Sequence, residues 1–433
     1  MDVRFKIKDS VKSLAIVGII GLLNYSMSII WGIPFLNLII PFSLLLIVSC
    51  LALNEFSNKG SKIVFILIFL FKFLMLVYQA KYRDLPMGGN DWVGYNRHAI
   101  NLLAESKGIF DLLIIPEVNL FSRFISLVYY LFGTHLALIN CFVLILSIIM
   151  IKYIYKISYI LTKSKRIADI SSLLIFVWPI DFIFSITVLR EMPIQWSFVM
   201  SLYFFLLYLN KKKYSFFILS IIFSLIASAF HAGMIGVVII YMVVNSIYDV
   251  KRSLISVFPV KLVSTILLFL FIWLTPLSDV VTQKFSGIEN TEDLIDKVSY
   301  SAGDTAYVSS TPGSIPEVIV QMPYRVLMFT LSPLPWQING APTFIAWLID
   351  GLPRLLLLMG IGCWIKRYKP KNNYEMIIKW TFISIIVVTY LIHAGGTANY
   401  GTAMRHRAKM LPLEVLLLVW GIFLKKKDYK KDL

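Results

Sequence analysis

The chain reads as a succession of apolar runs, each about as long as a membrane-crossing helix, separated by short polar breaks. A helix rises about 1.5 Å per residue, so about 20 apolar residues match a hydrocarbon layer about 30 Å thick. Such runs fall near 11–31, 34–53, 62–79, 135–158, 170–189, 193–210, 215–230, 232–249, 260–276, 347–365, 376–393 and 410–424. They predict an all-α polytopic membrane protein with about 12 transmembrane helices. The first run follows Arg4, Lys6, Lys8 and Lys12 without a small-residue cleavage site, and so reads as a retained anchor.

The first long polar break is Met87 to Leu103. Gly88, Gly89 and Asn90 loosen the backbone, and Asp91 stands where a helix N-cap belongs. Trp92, Tyr95, Ala99 and Leu103 then fall on one helical face. The pattern predicts a loop presenting a carboxylate, followed by an amphipathic helix on the membrane surface.

Charge decides the threading. The 433 residues carry 41 Lys and Arg against 24 Asp and Glu, a net charge of +17. The basic clusters are Lys59/Lys62, Lys152 to Arg166, Lys211 to Lys213, Lys251/Arg252/Lys261, Lys366 to Lys379 and the tail Lys425 to Lys431. With the N-terminus inside and twelve helices threaded, all of them land on the cytoplasmic side. Positive-inside bias therefore explains most of the charge, and no nucleic-acid partner is required. The same rule keeps the apolar run 120–133 off the spanning list, because a span there would put Lys163 to Arg166 outside. That run is expected to be a second juxtamembrane helix.

Four segments result: an N-terminal helix pair (1–61), a transmembrane module with outer loop 80–134 (62–275), a large outer loop (276–346) and C-terminal helices with an outer basic loop 394–409 (347–433). The stretch 323–336 is apolar and broken by prolines, and is expected to be re-entrant. Cys50, Cys141 and Cys363 lie within apolar runs and form no disulfide or metal pattern.

The candidate chemistry gathers on the outer face. Asp91 could be a general base for an acceptor hydroxyl, or only a helix cap; Asp84, Asp111 and Glu117 read as solvated surface. Arg190 and Glu191 close one helix, and Asp181 follows Trp178-Pro179 inside an apolar run, where an acid is costly. Asp350 and Arg354 are spaced for a salt bridge. Arg405, His406, Arg407 and Lys409 follow glycines and threonines, a composition suited to phosphate oxygens. His231 and Arg325 could join the same anion site, or serve as capping and packing residues. A phosphate head with a long apolar tail would suit this combination.

With these motifs the chain resembles the GT-C class of integral-membrane glycosyltransferases. The resemblance rests on Asp91, Tyr95 and Ala99, on Leu131-Phe132-Gly133 before a spanning helix, on the basic turn Lys152 to Arg166, and on Pro179 with Arg190-Glu191. It covers roughly residues 62–210. It implies Asp91 as catalytic base, with Tyr95, Arg190 and Glu191 near it; the residue reading adds His231, Arg325, Arg405, His406 and Arg407 around the substrate. Its partners would be a polyprenyl-phosphate sugar donor, a glycan or lipid acceptor and membrane lipids, at the outer face of a bacterial plasma membrane. Members often carry a second acid beside the first. Here the neighbours are Asn90 and Trp92, so a divalent metal is not indicated. Two alternatives remain: a polysaccharide repeat-unit polymerase acting on lipid pyrophosphate, in which Arg190, Arg325, Arg405 and Arg407 hold the head group, and a lipid-linked glycan flippase, for which paired inverted repeats are lacking.

Overall fold

The computed structural model describes residues 18–81, 91–114, 119–255, 263, 306–307 and 315–424. About 83% of these are helical, which places the chain in the all-α class. Among the described residues, six helices are long and apolar enough to cross a membrane: Phe35–Leu53, Lys59–Lys81, Leu136–Thr162, Glu191–Lys211, Ala341–Arg367 and Asn373–Gly395. Large apolar side chains such as Leu36, Ile63, Leu67 and Leu74 stand exposed on the first two. Lipid solvates such faces and water does not, so the chain is an all-α membrane protein. The expected span near 260–276 lies outside the described residues apart from residue 263, as do the basic tail, Glu117 and the loop residues Asp84 and Gly88 to Asn90.

The chain divides into two compact units. The first holds the residues up to Ile149 together with Phe182–Arg190. It contains α1 (Gly18–Trp31), α2 (Phe35–Leu53), α3 (Lys59–Lys81), α4 (Asp91–Glu105), α5 (Asp111–Ile114) and α6 (Leu120–Phe132), and the start of α7 (Leu136–Thr162). Both expected juxtamembrane segments are helical, and they pack on each other. Ala99 and Leu102 of α4 meet the face of α6 that buries Phe121, Ile125 and Tyr129. The Tyr129 hydroxyl donates to Asn96 Oδ1 at 2.6 Å. Asn119 caps α6 by accepting from the Ser122 amide. Gly133 ends it at φ +90, where a Cβ would also lie 2.7 Å from Asn37 Nδ2. In α3 the buried Lys72 donates to Ser185 Oγ at 2.6 Å and lies over the Phe182 ring.

The second unit holds Met150–Asp181 and Glu191 onward. The expected helix 170–189 is two helices, α8 (Lys165–Val177) and α9 (Pro179–Phe184). Proline forces the residue before it out of the helical region, and Trp178 has ψ 129. Next, α10 (Glu191–Lys211) and α11 (Tyr214–Phe230) form a hairpin through a turn in which Lys212 takes a left-handed φ of +58. Ser220, Ser224 and Ser228 line α11 at helical spacing, with their hydroxyls bonded to their own helix. Such small residues let the two backbones approach. A short 3-10 turn, Ala232–Met234, leads into α12 (Ile235–Ile247), which packs on α10 through Tyr241 stacked on Phe205 and Asn245 accepting from Tyr208. A two-residue hairpin pairs Tyr248–Asp249 with Leu254–Ile255.

Within the stretch 276–346, expected to be a large loop, the described residues include a helix, α13 (Ile315–Leu331), which continues through Pro323 and buries Arg325, Met328 and Phe329. Then follow α14 (Ala341–Ala346), a π turn at Trp347–Gly351, α15 (Leu352–Arg367), α16 (Asn373–Gly395), α17 (Tyr400–Ala408) and α18 (Leu411–Phe423). Helices α15 and α18 touch backbone to backbone. A Cβ on Gly421 would lie 2.7 Å from Gly360 O and 2.9 Å from Trp364 N. Neither atom can retreat without moving a helix. Gly421→Ala should therefore destabilise this unit by roughly 1–3 kcal/mol, read as a lowered thermal midpoint of the purified protein in detergent; an unchanged midpoint would mean the helices separate freely.

Candidate functional site

The segment 394–409 was expected to be a glycine- and threonine-rich loop offering backbone amides to an anion. Residues Tyr400–Ala408 instead form α17, so most of those amides are spent on the helix. Asn399 caps it, accepting from the Thr402 amide at 2.7 Å. Arg405, His406 and Arg407 fall in the last turn, where the helix dipole favours cations. Successive residues point about 100° apart around a helix, so the three side chains go to three different partners.

Arg405 reaches the first turn of α10. Its Nε and Nη2 lie 2.9 and 2.8 Å from Glu191 Oε1. Glu191 is buried, whereas the Arg405 side chain keeps 22% of its surface exposed. One turn along α10, Gln195 Nε2 donates to Ala408 O at 2.8 Å and ties α10 to the end of α17.

Arg407 turns inward. Its Nε donates to Asp350 Oδ2 at 2.7 Å, Nη2 donates to the same oxygen, and Nη1 donates to Phe329 O at 2.7 Å. Asp350 sits in the π turn, and its other oxygen lies 3.8 Å from Arg354 Nη2. The expected Asp350–Arg354 pair is thus one edge of a larger network. Arg354 Nη1 donates to the Tyr390 hydroxyl at 2.7 Å and to Glu414 Oε2 at 2.5 Å, and the Tyr390 hydroxyl donates to Glu414 Oε1. Two guanidinium groups and two carboxylates balance, all four almost fully buried. Arg407 is held inside this network rather than presented on a loop.

His406 faces two other imidazoles. Its Nε2 lies 3.1 Å from His231 Nε2, and its Nδ1 lies 2.9 Å from Thr397 Oγ1. His393 completes the group: the three ring centroids are 4.6, 4.9 and 5.0 Å apart. His231 caps the end of α11 and accepts the Gly233 amide on Nδ1 at 3.2 Å. Gly233 is what lets His393 approach, since a Cβ there would lie 2.0 Å from the His393 ring. Among the described residues, no group of three or more His, Cys, Asp or Glu is arranged to hold a metal ion.

Arg325 of α13 is fully buried. Its Nε and Nη2 share Gln321 Oε1 at 3.2 Å, and Nη1 has no hydrogen-bond partner among the described residues. Burial lowers the pKa of this guanidinium, and the nearby Tyr307 phenol opposes that shift. Tyr307 itself donates to Thr397 O at 3.1 Å and accepts from Tyr324.

In the first unit, Asp91 opens α4 and is exposed. Tyr95 packs edge-on against Phe121, and the Arg190 guanidinium lies 5.9 Å from the Tyr95 ring centre. Asp111 accepts the Lys107 amide. Asp181, which belongs to the second unit, is buried in the first turn of α9.

Glu191, His231, Arg405, His406, Arg407 and Arg325 thus fall within the second unit, and Asp91, Tyr95 and Arg190 within the first. Sequence reasoning passed over His393 and Glu414, which it counted within apolar runs, and took Thr397 only as one of the threonines of the basic loop. The available signal was the presence of titratable residues inside or beside such runs, where they are costly. Comparison of the chain with known protein families, curated proteins and solved structures finds no match, so the reading of this site rests on its own chemistry.

Proposed function

We propose that the chain is a membrane-embedded glycosyl transferase of the polymerase kind, which moves a glycan from a polyprenyl-pyrophosphate carrier onto a second lipid-linked glycan. One observation carries this reading: the second unit gathers three imidazoles, His231, His393 and His406, with the Arg405–Glu191 pair one residue along α17. Polar and charged groups are costly inside an apolar helical protein and usually mark a substrate path. Imidazole titrates near neutrality and can take a proton from a sugar hydroxyl. Guanidinium groups such as Arg405 and Arg325 suit the several anionic oxygens of a pyrophosphate. Asp91, exposed at the head of α4, suits a helix-opening role, whereas single-sugar transfer of the GT-C type would need it as the base. Twelve spans, with the site on the outer face of a bacterial plasma membrane, complete the proposal; the basic clusters support that threading.

The test is glycan analysis after gene deletion and complementation. Deletion should leave single repeat units on the lipid carrier and no long chains, and Asp91→Asn should restore the long chains. Surface glycan of normal length lacking one sugar, with Asp91→Asn failing to restore it, would replace this reading with single-sugar transfer.

A further inference from the structure

The hydrogen bonds that link the His231 and His406 rings have only one consistent direction. A backbone amide can only donate, so the Gly233 N–H fixes His231 Nδ1 as an acceptor. Neutral His231 therefore carries its proton on Nε2. That proton points at His406 Nε2, 3.1 Å away, which must present its lone pair. His406 then holds its proton on Nδ1 and donates it to Thr397 Oγ1 at 2.9 Å. The Thr397 hydroxyl sends its own proton to His393 O at 2.7 Å. Every donor meets an acceptor along the chain from Gly233 to His393.

We infer that His406 is the proton acceptor of the proposed transfer reaction and that Thr397 is the positioning residue that fixes its tautomer. This inference rests on that reading of the site. An imidazole ready to act as a base needs Nδ1–H anchored and the Nε2 lone pair aimed at the hydroxyl it will deprotonate. His406 has both. In the resting protein the donor facing the lone pair is His231 Nε2–H, which stands where the acceptor sugar hydroxyl would come. In the reaction, the hydroxyl replaces that N–H and its proton passes to His406 Nε2. Its oxygen pair forms the new bond to the anomeric carbon of the donor glycan, as the bond from that carbon to the pyrophosphate oxygen breaks. The electron pair leaves on the pyrophosphate, and His231 Nε2–H, released from His406, can donate to it. The His406 imidazolium returns its proton to the departing phosphate or to water.

Nothing in the sequence marked Thr397 for such a role. It lies just beyond α16, its carbonyl receives Tyr307, and its hydroxyl bridges two of the three histidines. A valine would keep the shape and remove both hydrogen bonds; a serine would keep them.

The chain has 5 histidines, so nitrogen NMR of the full-length protein labelled with 15N-histidine, in lipid nanodiscs, can resolve each ring. The His406 signal is identified by its loss in His406→Gln. The expected result is a protonated Nδ1 and an unprotonated Nε2 on His406 in the native protein. Thr397→Val should lose that tautomer and Thr397→Ser should keep it. In cells, Thr397→Val should lower long-chain glycan about 100-fold, the low end of what a positioned base contributes, and Thr397→Ser should restore it. A His406 protonated on Nε2 in the native protein overturns the inference without use of any variant. Normal glycan from Thr397→Val with the tautomer lost overturns the assignment of the base. If the native tautomer is as expected but gene deletion leaves glycan length unchanged, the polymerase reading fails and the inference falls with it.

Discussion

Arg407→Ala should leave little folded protein. Arg407 is fully buried and spends Nε, Nη1 and Nη2 on Asp350 and Phe329 O. Removing it strands Asp350 beside Arg354 and unbalances a network of two cations and two anions. Breaking a buried ion pair from one side costs about 3–5 kcal/mol, a large part of the stability of an ordinary domain. Arg407→Lys keeps the charge but offers Asp350 and Phe329 O one nitrogen in place of the three of the guanidinium fork, and should fall between. Replacing Arg407 and Asp350 together by leucine should be milder than Arg407→Ala, because no charge is left uncompensated. Yield and thermal midpoint in detergent are the measurements. Arg407→Ala protein that folds like the parent but makes no glycan would transfer Arg407 from the core to the substrate.

Its neighbour should behave in the opposite way. Changing Arg405 and Glu191 together to glutamine should leave the protein folded while lowering long-chain glycan about 100- to 1,000-fold, the range seen when one preorganised donor to developing negative charge is removed. The double change avoids stranding Glu191, which is buried, while removing the guanidinium, which is partly open to the surroundings. Arg405→Lys alone should recover only part of the activity, since an ammonium cannot match the fork. Normal glycan from the double variant would make the pair structural. Two arginines of one helical turn are thus expected to fail for different reasons, one through folding and the other through chemistry.

Much of the helical plan could be read along the chain. The runs at 34–53, 62–79, 193–210 and 376–393 lie within one to three residues of the observed helices at most ends. Apolar length sets such helices almost without tertiary help, because backbone groups in lipid must bond within their own segment. The two amphipathic segments at 91–105 and 120–132 were visible for a related reason, since one apolar face at helical spacing needs one packing partner. The break at Trp178-Pro179 was present in the sequence, inside the run 170–189 that reads as one helix. Whether a proline bends or ends a helix depends on what surrounds it, and α8 and α9 are separate here.

The sequence by itself determined the class of the protein, the position of most helices and the residue types able to do chemistry. It could not divide Arg405, His406 and Arg407 into three roles, because their partners lie 214, 175 and 57 residues away in the chain. Nor could it find Thr397 or His393, since no local pattern distinguishes a threonine that fixes an imidazole tautomer from one that only ends a helix. Tertiary structure decided those points for a physical reason. Burial makes each polar atom costly unless a partner of the right sense lies within hydrogen-bonding distance. That partner is chosen by how helices pack, as at Gly233, where the missing side chain gives His393 its place.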